Sequence, residues 1–150
     1  MIATSTVVMF VLMYLNTYLL AHVFWSETRA YMAVLMGATM AIIMLGFMLS
    51  MYSSKAINAS IFAGAALAFA ASLWLVRSQW AVGDTSFMRA MIPHHSIAIL
   101  TSERAEISDP RVRKLADGII EAQRREIAEM KALIADLQGG PPATPEIDGR

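Results

Sequence analysis

The chain has 150 residues, no net charge, no cysteine and twelve methionines. Zero net charge gives no electrostatic footprint for nucleic acid or another polyanion, and a chain without cysteine has no disulfide, thiolate zinc site or iron–sulfur cluster. The charge is also split: up to Gly83 the only charged side chains are Glu27, Arg29, Lys55 and Arg77, whereas nine basic and eleven acidic residues follow, so the two halves suit different solvents.

The first half predicts three membrane-spanning helices, over residues 2–25, 31–52 and 57–76, none of which holds a charged residue. Each run is near or above the roughly 20 residues a helix needs to cross a hydrocarbon core of about 30 Å. Runs this continuous span as helices, because lipid offers the backbone no hydrogen-bond partners. Trp25, Tyr31, Tyr52, Trp74 and Trp80 stand at span ends, where aromatic belts form. The links between spans are short, so neighbouring spans are antiparallel and three spans put the termini on opposite sides. Lys55 points to one orientation, Arg29 and Arg77 to the other, and charge does not choose between them.

The first span lacks the basic n-region of a signal peptide and is longer than its usual apolar region, so it is expected to be retained. Its polar residues are Asn16 and His22, with Tyr14 and Tyr18 nearby; His22 is expected at the interface beside Trp25. In the second span Met32, Met36, Met40, Met44 and Met48 recur every four residues on one drifting face. Such a ladder suits adaptable helix packing, with Gly37, Ala41 and Gly46 beside it; the sharper alternative is soft-cation passage along its thioethers. The third span is small-faced, with Gly64, Ala65, Ala66, Ala68, Ala70 and Ala71.

The second half predicts a soluble helical hairpin over 84–138. Asp84 is a candidate N-cap for a helix reaching about Ile107. Ser108-Asp109-Pro110 is a stop-and-start signal, with Asp109 as cap and Pro110 where no amide donor is needed. The next helix runs to about Leu137 on a stripe of Val112, Leu115, Ile119, Ile120, Ile127, Met130, Leu133, Ile134 and Leu137. The Pro- and Gly-rich tail, 139–150, reads as disordered. Two helices do not enclose a core, so the stripe is expected to pack on the membrane domain (residues 1–80) or on a second copy, making a four-helix bundle.

Two histidines and two thioethers fall within residues 88–95. On a regular helix Met88, Met91 and His95 share a face, and His94 points about 100° away. Pro93 is expected to kink or restart the helix and so redirect both imidazoles. Antiparallel pairing about Ser108/Asp109 sets His95 level with Ala122, Met91 with Glu126 and Met88 with Glu129. Gln123, Glu126 and Met130 are then the facing candidates, with Gln123 a partner for His95 and Glu126 for the other imidazole. Imidazole with thioether selects copper, above all Cu(I), over calcium or magnesium; the plain alternative is core methionines beside surface or capping histidines. No carboxylate–histidine–serine order, Glu-x-x-His pair or Gly-rich phosphate loop is present, and no enzymatic activity is expected.

The stretch Phe87-Met88-Arg89-Ala90-Met91-Ile92-Pro93-His94-His95 resembles the signature of the Domain of Unknown Function 305 family. So do Ala98-Ile99, Asp109-Pro110-Arg111-Val112, Leu115-Ala116 and the run from Ile119 to Met130. The resemblance covers about 84–137 and implies a ferritin-like helical bundle in a bacterial protein, with the domain on the periplasmic side of the inner membrane. It further implies copper binding through methionine and histidine in the service of copper tolerance. By position it points to Met88, Met91, His94 and His95 as ligands, with Gln123, Glu126 and Met130 facing them. Ser96, Ile97 and Thr101 stand where family members often carry Gln, Met or Gly, and Met. The whole predicts an all-α, multi-pass membrane protein: three transmembrane helices, then a soluble hairpin completed by homo-oligomerisation or by the membrane domain.

Overall fold

The structure, a computed structural model, describes residues 1–140; the predicted disordered tail lies mostly outside the described residues. Among those residues there are five α-helices and no strand. They are α1 (Ile2–Leu12), α2 (Glu27–Met48), α3 (Lys55–Ser78), α4 (Asp84–Arg104) and α5 (Pro110–Leu137). The chain divides into two compact units. One holds Met1–Met13 and Glu27–Val82; the other holds Tyr14–Ser26 and residues 83–140.

In the first unit α2 and α3 form a strongly apolar hairpin, and both are long enough to cross a membrane. The expected first span is not one. Its helix, α1, ends at Leu12 after eleven residues, or roughly 16 Å at 1.5 Å per residue, about half a bilayer core. The apolar run is broken where Tyr14, Asn16 and Thr17 crowd together, and the backbone turns there. Among the described residues two helices, not three, therefore have the length and apolarity to span. Thr28 Oγ1 donates to Gln79 Oε1 at 3.4 Å, so the chain enters and leaves the hairpin at one end. At the other end Asn58 Nδ2 donates to the Tyr52 carbonyl at 3.2 Å, and Ser54 caps α3 by accepting from the Ile57 amide.

The short α1 packs on α2. Gly37 allows this: a Cβ there would collide with the Thr6 hydroxyl. Arg29 Nη1 donates to the Met13 carbonyl, satisfying a backbone acceptor that the end of α1 leaves open. The methionine ladder stays spread along α2; Met44 and Met48 line a cleft of about 370 Å³ with Met1, Tyr52 and Asn58.

In the second unit α4 and α5 form the expected hairpin. Gly83, not Asp84, occupies the N-cap of α4, and the helix ends at Arg104 rather than near Ile107. The start of α5 follows its sequence signal: Asp109 Oδ1 accepts from the Arg111 amide at 2.8 Å and Pro110 opens the helix. The Arg111 guanidinium against the Asp109 carboxylate holds that carboxyl below its usual range and raises Arg111. Arg124 Nη2 donates to Glu103 Oε1 at 2.6 Å and Arg113 Nη1 to the Ser102 carbonyl at 2.9 Å. These bonds tie the helices near the turn.

The core of this unit is Met88, Ile92, Ile99, Ile127 and Ile134, with Ile120 and Met130 packed against it. Burying each such aliphatic chain contributes about 1.5–3 kcal/mol. The stripe on α5 is split: Ile120, Ile127, Met130 and Ile134 face this core, while Val112, Leu115, Leu133 and Leu137 remain exposed.

A third wall of the core comes from outside the α4–α5 hairpin. It is Tyr14–Ser26, the stretch predicted to finish the first span. Tyr18 and Phe24 pack on the cluster, and a single 3-10 turn, Leu20–His22, buries His22 to 1% exposure.

Candidate functional site

The region of interest begins at Met88 and runs to Ser96 along one side of α4. Pro93 does not restart the helix, which is continuous from Asp84 to Arg104. The ring lacks the amide that would bond the Arg89 carbonyl, but Pro93 is fully buried and its packing holds the helix through that point. The 3.6-residue period therefore carries across the proline. Met88, Met91 and His95 share a face as the spacing predicts, and His94 projects elsewhere and is exposed. The two imidazoles stand 6.3 Å apart, centroid to centroid, at 64°.

His95 is anchored by the facing helix. Its Nε2 lies 2.9 Å from Glu126 Oε2, with the histidine side chain 14% exposed and the carboxylate 45%. Gln123 was the partner expected from the level of the helices. The carboxylate takes that place because side chains on α4 tilt towards its N-terminus. That tilt carries His95 towards the level of Met91, which the antiparallel register sets opposite Glu126. Gln123 and Met130 are half-buried on the same side of α5.

The other ring nitrogen of His95, Nδ1, is buried and has no hydrogen-bond partner. A carboxylate on Nε2 favours the tautomer with its proton on Nε2, which leaves a lone pair on Nδ1. A buried polar atom without a partner is uncommon and calls for an explanation. Of the thioethers on this side, Met88 is 7% exposed within the core, Met130 packs against that core, and Met91 is half-buried. Among the described residues no three of His, Asp and Glu gather as a metal-binding group. The donors present are thus one oriented imidazole with thioethers near it in the helix period. Such a set fits a soft ion and does not fit calcium, magnesium or a carboxylate-rich zinc site.

A second polar group lies one residue on. Ser96 is fully buried; its Oγ accepts from the Tyr18 amide at 2.7 Å and lies 3.0 Å from His22 Nδ1. His22, expected at the interface beside Trp25, is 1% exposed and held against Ser96. Nothing local in the sequence points to it: His22 sits in an apolar run and Ser96 in a helix, 74 positions away.

Residues 78–146 match the family described as Domain of unknown function (DUF305). The resemblance seen in the motifs is thereby borne out over the α4–α5 segment. A stretch of 64 residues is 38% identical to Uncharacterized protein L153 of Acanthamoeba polyphaga mimivirus, covering 41% of this chain and 42% of that protein. The chain thus spans less than half the length of that curated relative. No solved structure matches.

Proposed function

We propose that this is a non-enzymatic, membrane-anchored protein that binds a soft metal ion, Cu(I) above all, on the α4 face of its helical hairpin, in copper sequestration or tolerance. The observation that carries the proposal is the state of His95: Nε2 held by Glu126, Nδ1 buried and unpartnered. A metal-ligating histidine has its far nitrogen fixed by a carboxylate in this way, which sets the tautomer and aims the lone pair. His95 would supply nitrogen through Nδ1. Met91, one turn before it, and Met88, two turns before it, would supply thioether sulfur. Thioether and imidazole donors stabilise Cu(I) and bind hard cations poorly. His94, exposed beside His95, would meet an ion arriving from solvent. Met130 faces this group from α5, and Gln123 borders it.

The apolar hairpin α2–α3 would anchor the chain in the bilayer; the family resemblance supports a bacterial inner membrane with the α4–α5 unit in the periplasm. Competition titration of Cu(I) with the purified full chain in detergent tests the proposal. Wild type binds, and the double variant His94→Ala/His95→Ala loses affinity; equal affinity in the two sinks it.

A second function has its own support. Val112 and Leu115 at one end of α5, and Leu133 and Leu137 at the other, are 45–65% exposed. Such a stripe on a surface helix favours self-association into a four-helix bundle. Light scattering of wild type against Leu115→Lys/Leu133→Lys reads this out: the wild type is an oligomer that the variant dissociates, and a wild-type monomer removes the reading.

A further inference from the structure

The wall formed by Tyr14–Ser26 differs in kind from the helices it covers. It holds one three-residue 3-10 turn, so most of its backbone lacks an internal hydrogen-bond ladder. Tyr18 and Phe24 lie on the cluster that contains Met88. Two of its polar contacts meet at one atom, Ser96 Oγ, which receives the Tyr18 amide and contacts His22 Nδ1. Ser96 directly follows His95, the residue whose Nδ1 is unpartnered.

We infer that Tyr14–Ser26 is a latch over the methionine/histidine cluster, and that its release from Ser96 is the step that admits the metal ion; the inference rests on the metal-binding function proposed above. Met88 is 7% exposed and Ile92 and Ser96 are 0% exposed. With the latch seated, Met88 presents almost no surface to an aqueous ion. Something must open before Met88 joins His95 as a ligand. Local opening begins in segments with the fewest backbone hydrogen bonds and the least buried apolar surface. Among the pieces that close this core, that description fits Tyr14–Ser26 and not the long helices α4 and α5. Its release must unseat Tyr18 and Phe24, break the bonds to Ser96 and bring the buried His22 and Ser26 side chains into water. The latch therefore sets the rate of loading, while His95 and the thioethers set the affinity.

The test is the rate of Cu(I) loading of the full chain in detergent, followed by stopped flow, with hydrogen exchange of residues 14–26 measured in parallel. Ser96→Ala removes the acceptor of the Tyr18 amide and the contact to His22 without touching a proposed ligand. Exchange in 14–26 rises and loading accelerates about fivefold or more, the factor implied by one hydrogen bond's modest net strength. Phe24→Ala, which weakens the apolar seat, acts in the same direction. Faster exchange with unchanged loading in both variants overturns the latch. Unchanged exchange of residues 14–26 in both Ser96→Ala and Phe24→Ala also overturns it, because the segment is then held by something else. A wild-type chain that binds no Cu(I) even at equilibrium overturns the metal-binding function instead.

Discussion

Ser96 Oγ and His22 Nδ1 meet at 3.0 Å across 74 positions of sequence, both side chains almost wholly buried. The contact joins a stretch of apolar chain near the amino terminus to the helix that carries the methionine/histidine cluster. Removing the hydroxyl leaves the Tyr18 amide without its acceptor. A buried donor so orphaned costs about 1–3 kcal/mol. Ser96→Ala is therefore expected to lower the stability of the α4–α5 unit by that amount in denaturant melts, whereas Ser102→Ala, whose carbonyl partner to Arg113 is untouched, stays within about 0.5 kcal/mol of wild type. Equal melts for both variants would remove the contact from the account.

The aliphatic core is expected to be sharply graded. Ile127 is 1% exposed and Leu115 is 65% exposed on the same helix. Ile127→Ala should destabilise by roughly 2–5 kcal/mol through lost burial and a residual cavity. Leu115→Ala should change little in a monomer. A large loss in Leu115→Ala would mean that the exposed stripe is covered by a partner, which oligomeric state then confirms.

Gly37 and Thr6 make a reciprocal pair. Gly37→Ala places a methyl against the Thr6 hydroxyl and should displace α1 from α2, raising protease access to residues 2–12. Thr6→Ala in the same chain should restore protection. An unprotected double variant would show that α1 is positioned by something other than this approach.

The cap of α5 predicts an acid-side effect. Arg111 lowers the pKa of Asp109 in the folded chain. A carboxyl whose folded pKa lies below its unfolded value contributes stability that is present above the unfolded value, near 3.8, and is lost as pH falls through the folded one. Asp109→Asn keeps a capping oxygen but removes the charge, so its melts should lose this acid-side dependence and converge with wild type at low pH. Parallel curves across the acid range would contradict the assignment.

In the proposed site Glu126 orients His95 rather than binding metal itself. Glu126→Ala should weaken Cu(I) binding roughly 10–100-fold while leaving the helices intact by circular dichroism. Affinity indifferent to the carboxylate would detach it from the site.

The apolar helices α2 and α3 are legible as uninterrupted, uncharged runs, and α5 from Asp109-Pro110. The first span misleads because apolar composition, not length of helix, fills residues 2–25. Tyr14, Asn16 and Thr17 mark a break, but apolar composition alone does not weigh it. The face shared by Met88, Met91 and His95 follows from the helical period, and the continuity through Pro93 preserves it. What the period does not encode is the partner. Glu126 rather than Gln123 reaches His95 because of side-chain tilt, and Tyr14–Ser26 closes the core through contacts with no local signature.

The central claim is that His95 and the neighbouring thioethers bind a soft metal ion. X-ray absorption at the copper edge of the Cu(I)-loaded full chain tests it most directly. The account predicts a mixed shell of imidazole nitrogen and thioether sulfur that loses nitrogen in His95→Ala and sulfur in Met91→Leu, a substitution that keeps volume and apolarity. A shell without sulfur, or one unchanged by both substitutions, would contradict it.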